Sequence, residues 1–151
     1  MANFSAILES LKDVLKKANL KYTHQREIIL LVLFNNIRHF TPEELLEQIN
    51  KEYPKIKIGI ATVYRTLNLL EENRLVSSIT FGKDGKKYEL IRKEHHDHMI
   101  CDMCGKIIEF HDEIIEEKQK TIAKEHNFIL TSHTMQLHGV CEDCNKRRGE
   151  N

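Results

Sequence analysis

The chain opens with four stretches in which apolar residues recur at the spacing of an amphipathic helix. The first stretch ends near Asn19, and Thr23 is placed to cap the second. The third begins at Thr41-Pro42-Glu43-Glu44, which combines a cap, a first-turn proline and the glutamate of a capping box, and Pro54 stops it. The pattern therefore predicts a helical first part of the chain.

The fourth helix follows Gly59-Ile60-Ala61-Thr62 and has two faces of different character. Its polar face presents Tyr64 and Arg65. Arginine can pair bidentately with guanine, and tyrosine can contact a thymine methyl group or a phosphate. An ordinary solvated face is the alternative, and the helix alone does not decide between the two. The apolar face consists of Val63, Leu67 and Leu70.

After the helices the pattern changes to the alternation of strands. Residues 75–81 and 86–90 are predicted to form a hairpin around the turn Gly82-Lys83-Asp84-Gly85. Helices followed by a hairpin are typical of a winged helix-turn-helix, and lysines in the turn suit a wing that lies beside phosphates. Arg92-Lys93-Glu94 is interpreted as a short polar hinge.

Beyond this hinge the pattern predicts a second, smaller domain of strands and one helix. Strands are expected at 106–110, at Phe128-Ile129-Leu130 and from Met135 to Val140, and the tail 146–151 is expected to fray. The helix is expected at 112–126, with Ile114, Ile115, Ile122 and Ala123 among its buried positions.

The predicted fold class is therefore α+β. An N-terminal winged helix-turn-helix DNA-binding domain at 1–91 is followed by a small α/β domain at 92–151.

The composition and charge of the chain indicate which compartment and which partners to expect. The 151 residues are 40% hydrophobic and 30% charged. No apolar run approaches the roughly 20 residues of a membrane span, and the N-terminus lacks the features of a signal peptide. We expect a cytoplasmic protein, in which thiols stay reduced. Residues 1–94 carry a net charge of 16 − 12 = +4 and residues 95–151 carry 7 − 11 = −4, which suggests a polyanion for the first part and cations for the second.

The four cysteines of the chain form two Cys-x-x-Cys pairs, at Cys101 and Cys104 and at Cys141 and Cys144. A two-residue spacer lets both sulfurs turn toward one ion, and Gly105 or Asn145 after the second cysteine tolerates that turn. The pairs predict a closed, structural zinc site that ties the C-terminal part to the start of the domain. A redox dithiol or disulfides are the alternatives.

Histidines are concentrated immediately before the first cysteine pair. On an extended strand His96 and His98 point to one face, whereas His95 and Asp97 point to the other, so one strand could serve two metal sites. Spacing does not assign the other ligands. The candidates are Glu89, Glu109, Glu116 and His133, with His39 as a possible ligand from the first domain.

The segments above resemble the ferric uptake regulator (Fur) family over nearly the whole chain. The most specific matches are Gly59 to Asn68, His95 to Cys101 and Cys104 to Phe110, together with Leu20-Lys21-Tyr22-Thr23 and Arg26. The resemblance implies a dimeric, metal-responsive transcriptional repressor whose second domain mediates dimerisation. A metal-dependent hydrolase that uses His95 to His98 is a remote alternative, because the 94 residues before them would then have no purpose, and the predicted winged helix argues against a metal buffer or chaperone.

The resemblance also implies the site residues. Its structural zinc site corresponds to Cys101, Cys104, Cys141 and Cys144. Its regulatory site between the domains corresponds to His39, Glu89, His96, His98 and Glu109. A further site corresponds to His95, Asp97, Glu116 and His133. Its DNA contacts correspond to Tyr64, Arg65 and the minor-groove lysine Lys21.

Metal identity is expected to vary within such a family. Fe(II) is the expected regulatory ion, and Mn(II), Co(II) or Zn(II) also suit nitrogen and oxygen ligands. Peroxide sensors of the family carry aspartate where this chain has Glu89 and Glu109, which favours iron over peroxide sensing. The expected partners are a palindromic AT-rich DNA operator and a second copy of the chain, with a dimer or a tetramer left open.

Overall fold

The computed structural model describes residues 3–80, 85–91 and 95–149. The chain divides into two compact units, Met1–Lys93 and Glu94–Asn151. Four sequence predictions lie partly or wholly outside the described residues: the end of the first strand at Phe81, the turn at 82–84, the hinge at 92–94 and the end of the tail at 150–151. No helix among the described residues is long and apolar enough to cross a membrane.

The first unit is a set of helices followed by a hairpin, as predicted. Its elements are α1 (Phe4–Lys17), α2 (His24–Asn35), α3 (Pro42–Glu52), α4 (Ile60–Glu72), β1 (Val76–Thr80) and β2 (Lys86–Leu90). The antiparallel hairpin pairs Ser77 with Glu89 and Ser78 with Tyr88. This is the winged helix-turn-helix fold.

Local sequence signals account for the ends of these helices. The Thr23 side chain accepts a hydrogen bond from the Arg26 N–H at the start of α2. At the start of α3, Thr41 and Glu44 form both hydrogen bonds of a capping box. The apolar faces then pack into one core, in which Leu11, Ile29, Leu30, Leu45, Leu67 and Leu70 are completely buried.

The second unit is built on a small mixed sheet. Its elements are β3 (Asp97–Cys101), β4 (Ile107–Phe110), α5 (Glu113–Glu125), β5 (Gln136–Gly139) and α6 (Glu142–Gly149). The strand order is β4-β3-β5, in which β3 pairs antiparallel with β4 and parallel with β5. This arrangement confirms the α+β class.

Three predictions for the second unit were wrong. Phe128-Ile129-Leu130 forms no strand and is exposed. The helix α5 has no buried residue among those described: Ile114 is 80% and Ile122 46% exposed, and Ile115 and Ala123 are only partly buried. Apolar periodicity marks a face that avoids water, but none of the described residues of the chain buries this face. The tail is not frayed over 146–149, which belongs to α6.

Candidate metal centres and DNA-binding surface

The four cysteines converge from three elements of the second unit. Cys101 ends β3, Cys141 follows β5, and Cys144 lies in the first turn of α6. Gly105 has a φ of 74°, a left-handed conformation that glycine adopts without strain and that turns the chain back after Cys104. As a result, the four sulfur atoms all lie within 4.8 Å of one another.

The spacing of the sulfurs fits a tetrahedral ion and not a disulfide. Cys104 Sγ and Cys141 Sγ are 3.7 Å apart, and all four cysteines are free. Zinc–sulfur bonds of about 2.3 Å place the sulfurs of a tetrahedral site about 3.8 Å apart. A disulfide would need a separation of about 2.05 Å. The donor set therefore fits a closed zinc site.

The surroundings of the sulfur atoms shift the pKa values of two of the thiols in opposite directions. Backbone N–H groups of Cys141 and Cys104 point at the Cys101 sulfur, the former at 3.3 Å, and lower the pKa of that thiol to about 6. Burial raises the pKa of the Cys144 thiol to about 12. A divalent cation would hold both as thiolates. Asn145, predicted to support a turn, instead lies in the helix α6, whose first turn brings Cys144 back toward Cys141.

A second cluster in the same unit joins one histidine pair to two carboxylates. The rings of His95 and His133 are 4.0 Å apart. Glu116 Oε1 lies 3.4 Å from His95 Nδ1 and 3.2 Å from His133 Nε2. Asp97 Oδ1 lies 3.7 Å from His133 Nε2. The structure thus brings all four residues predicted for the further site together.

Three atoms at the centre of this cluster are buried without a hydrogen bond. Asp97 Oδ1, Glu116 Oε1 and His133 Nε2 have no hydrogen-bond partner among the described residues, and Asp97 is only 2% exposed. Buried polar atoms that make no hydrogen bond carry a free-energy cost, which a cation bound between them would remove. Two carboxylates and two imidazoles fit a divalent metal ion.

The five residues predicted for the regulatory site are divided between the two units. In the first unit a backbone bridge between Phe40 and Tyr88 sets His39 beside Glu89, with 3.3 Å between His39 Nε2 and Glu89 Oε1. Ser77 Oγ donates a hydrogen bond to the same glutamate at 3.3 Å. The first unit therefore contributes His39 and Glu89 to the predicted ligand set.

In the second unit the remaining three ligands lie on neighbouring strands. His98 on β3 pairs in register with Glu109 on β4. The rings of His96 and His98 are 4.9 Å apart, and His96 Nε2 lies 4.0 Å from Glu109 Oε1. The sequence placed all of His95–His98 on one strand, whereas β3 begins at Asp97. The expected alternation still sorts His96 and His98 to one cluster and His95 and Asp97 to the other.

The residues predicted to contact DNA are exposed on the first unit. Tyr64 and Arg65 lie on the solvent face of α4, and Lys21 lies in the link before α2. The Tyr64 hydroxyl donates a 2.8 Å hydrogen bond to Glu43 Oε1, which raises the pKa of Tyr64 and lowers that of Glu43. Sequence reasoning missed Glu43, because it lies on another helix and no local pattern links it to Tyr64.

Comparisons with known proteins show the family to which the chain belongs. The profile of the Ferric uptake regulator family matches residues 17–138. The chain is 56% identical to the ferric uptake regulation protein of Campylobacter jejuni over 97% of this chain and 94% of that protein. It is 30% identical to the peroxide operon regulator of Bacillus subtilis, covering 93% of this chain and 94% of that protein. The chain belongs to the ferric uptake regulator family.

A solved structure of the same family matches both units. The Helicobacter pylori ferric uptake regulator superposes with a TM-score of 0.82 at 40% identity, covering 95% of each chain, and that protein is described as having three functional metal binding sites. Members of the ferric uptake regulator family are DNA-binding transcriptional regulators that bind metals and form dimers, and they are not enzymes. The resemblance inferred from the sequence is thus confirmed.

Proposed function

We propose that this member of the ferric uptake regulator family is an iron-responsive repressor. In this proposal the four cysteines hold structural zinc, and His39, Glu89, His96, His98 and Glu109 form the regulatory site for Fe(II). Zinc-stabilised dimers then bind a palindromic AT-rich operator. A peroxide-, zinc- or manganese-responsive regulator of the same family is the alternative.

The observation that carries the proposal is the division of the regulatory ligands. His39 and Glu89 belong to the winged-helix unit, whereas His96, His98 and Glu109 belong to the sheet of the other unit. An ion shared by both sets would supply a link that favours one relative orientation of the units. Such a link acts as a co-repressor only as far as the orientation that binds DNA holds the ion better than the others do.

The distribution of apolar surface supports the dimer. Phe128 and Ile129 are 66% and 86% exposed, next to a helix α5 that buries no described residue. Large exposed apolar side chains that lie together in sequence mark a surface for association. A dimer formed by a second copy that covers this surface would carry two α4 helices, one for each half-site of a palindromic operator. Such half-sites lie about one helical turn of DNA apart.

The ligand chemistry supports iron without excluding other ions. Imidazole and carboxylate ligands suit Fe(II), and also Mn(II), Co(II) and Zn(II), so metal availability sets much of the selectivity. The glutamates at positions 89 and 109 favour an iron sensor over a peroxide sensor, whose family members carry aspartate there. The 56% identity to a ferric uptake regulation protein against 30% to a peroxide operon regulator points the same way.

An anaerobic titration tests the signal. The zinc-loaded protein is titrated onto an AT-rich palindromic duplex with and without Fe(II), at fixed salt because salt alone changes affinity strongly. We expect tight binding only with Fe(II). Equal binding in both conditions would remove iron as the signal, and zinc, manganese and peroxide would then be tested.

The variant His96→Ala tests whether the two sites are independent. We expect it to weaken Fe(II)-dependent DNA binding while zinc stays bound to the four cysteines. The matched control is His126→Ala, since His126 is an exposed histidine at the end of α5 and belongs to none of the ligand sets. Loss of zinc together with unfolding of the second unit in His96→Ala would contradict two independent sites.

The variant Arg65→Ala tests the assignment of the base-reading helix. If Arg65 reads a base, its loss should reduce discrimination between operator and random DNA by about 1–3 kcal/mol. Equal weakening on both duplexes would make it a phosphate contact.

A further inference from the structure

A surface cleft lies between the first turns of α2 and α4 in the winged-helix unit. The residues that line it include Lys21, Thr23, Arg26, Thr62, Arg65 and Thr66. Lys21 and Arg65 are already assigned to DNA by the family resemblance. Arg26 and the threonines, which line the same cleft, have no assigned role.

The lining is cationic and rich in hydroxyl groups. Three of its side chains are basic, those of Lys21, Arg26 and Arg65, and no carboxylate is among the described residues that line it. Glu27, the nearest acid in sequence to Arg26, instead accepts a hydrogen bond from Tyr22. Positive side chains beside the N-terminal turns of two helices favour an anion, since the backbone N–H groups there add to the field.

The two sides of the cleft are held in place before any ligand arrives. Arg26 Nη1 donates a 2.5 Å hydrogen bond to the Lys21 carbonyl oxygen, which fixes the segment that carries Lys21. Gln25 Nε2 donates a 2.8 Å hydrogen bond to the Lys57 carbonyl oxygen, which ties α2 to the loop before α4. A guanidinium has five N–H donors, so Arg26 retains donors for a ligand.

The lining also contains one buried hydroxyl group, that of Thr66. Thr66 is completely buried, and its Oγ1 has no hydrogen-bond partner among the residues that the structure describes. A buried hydroxyl without a partner is costly, so its position in the lining of a cationic cleft is a second sign that a polar group belongs there.

We propose that this cleft holds one backbone phosphate of operator DNA, with the Arg26 guanidinium as its main donor. The proposal rests on the DNA-binding role of the unit and deepens it. Lys21 and Arg65 would then contact bases on either side of a fixed phosphate. Because phosphate contacts set the register of a protein on the duplex, Arg26 would determine where these two residues meet the grooves.

The salt dependence of binding to duplex DNA tests the charge contact. Each phosphate neutralised contributes about 0.9 to the slope of log affinity against log salt. We expect Arg26→Ala to lower affinity on the order of tenfold, for operator and random duplex alike, and to reduce the slope by about 0.9 for each protomer bound. Lys51→Ala is the matched control, because it removes an exposed positive charge of the same unit from the last turn of α3, away from the cleft.

Two further variants separate a direct contact from indirect effects. Arg26→Lys keeps the charge and should keep the slope. A loss of slope equal to that of Arg26→Ala would mean that Arg26 acts only by holding Lys21, and would overturn the proposal. Thr62→Val removes a hydroxyl without a change in charge. It should weaken binding to both duplexes by a smaller factor than Arg26→Ala does and leave the salt slope unchanged. An unchanged affinity would also count against the cleft.

Neutralised phosphates identify the contact itself. Methylphosphonate linkages are placed one at a time along the operator. We expect one linkage per half-site to weaken DNA binding by the wild type but not by Arg26→Ala. The absence of any such linkage would overturn the proposal. Binding of inorganic phosphate that Arg26→Ala abolishes, without such a linkage, would assign the cleft to a free anion instead. Both results require a wild type that binds the operator with metal, so failure of the iron-dependent switch would be seen separately.

Discussion

The two units of the molecule differ in what holds them together. In the winged-helix unit the apolar faces of the helices meet in one continuous core that reaches from Leu11 to Leu90. In the second unit the helix α5 buries none of its described residues, and large apolar side chains lie exposed. The buried described residues of that unit are Asp97, His98, Ile100, Cys101 and Cys144.

This difference indicates separate sources of stability. A hydrophobic core stabilises the first unit from within the chain. In the second unit most of the buried described side chains belong to the proposed metal ligands, so we expect its stability to depend on bound ions and on a covering partner. Small domains with little core commonly depend on such additions. We therefore expect zinc binding to contribute to the folding of this unit, because binding to a site that forms only in the folded state adds to the free energy of folding.

Removal of zinc should have the largest effect and should separate the units. We expect Cys144→Ser to release zinc and to abolish protection from hydrogen exchange throughout the second unit. Structural zinc sites supply on the order of 10 kcal/mol of folding free energy. The first unit should keep its protection. Zinc content and hydrogen exchange measured by mass spectrometry check this.

Met103→Ala is the control for that experiment, because Met103 lies between the cysteines of the first pair and is 55% exposed. It should keep zinc and protection. If Cys144→Ser left the second unit protected, the unit would have a sufficient core of its own and the contrast between the units would fail.

A cavity in the core should act on the first unit alone. Leu67 is completely buried, so Leu67→Ala should lower the free energy of unfolding of that unit by about 2–5 kcal/mol and leave zinc bound. The matched change in the second unit is Ile114→Ala, at a position 80% exposed in the single chain. It should leave the unfolding of the monomer almost unchanged. Urea unfolding of dilute, zinc-loaded protein compares the two.

The same contrast explains which predictions from sequence succeeded. In the first unit, caps such as Thr23 and the capping box at Thr41 are local, and each apolar face is buried by the same chain. Periodicity and end signals therefore predicted the helices and the hairpin correctly. The convergence of the four cysteines also follows from local spacing, because each pair can bind one ion only with both sulfurs turned the same way.

Predictions failed where burial depends on something outside the chain or on distant contacts. Ile114 and Ile122 have the spacing of a buried face, but they remain 80% and 46% exposed in the part of the chain that the structure describes. Phe128-Ile129-Leu130 has the composition of a strand and no neighbour to pair with among the described residues. Neither the Tyr64–Glu43 hydrogen bond nor the cleft around Arg26 has a local sequence signal, because separate helices build both.

Helix caps provide a smaller, matched comparison between the units. Thr41 caps α3 in the first unit, and Asp112 caps α5 in the second, where its Oδ1 accepts from the N–H groups of Ile114 and Ile115 at 2.9 and 3.2 Å. Each change to alanine should cost about 1 kcal/mol. Hydrogen exchange should show faster opening of the mutated unit only. Faster exchange in both units after either change would mean that they unfold together.

Loss of a polar pair on the surface of the first unit should have the smallest effect on the free energy of unfolding. The Tyr22 hydroxyl donates to Glu27, and this hydrogen bond raises the pKa of Tyr22 from 10.0 to about 12. Because Tyr22 is 44% exposed, Tyr22→Phe should cost less than about 1 kcal/mol near neutral pH, whereas the cation–π contact of its ring with Lys12 is kept. A larger loss of unfolding free energy would mean that polar surface contacts stabilise the unit about as much as core packing does.

The sign of the pH dependence follows from the raised pKa of Tyr22. Its hydrogen bond stabilises the folded state fully below about pH 10, where the phenol is protonated in both states, and this contribution is lost as the pH rises toward 12. The difference in unfolding free energy between wild type and Tyr22→Phe should therefore shrink over that range. Urea unfolding at neutral and alkaline pH measures it, with Glu27→Gln as the variant that alters the acceptor. A difference that stays constant with pH would assign the loss to packing of the ring edge instead of to the hydrogen bond.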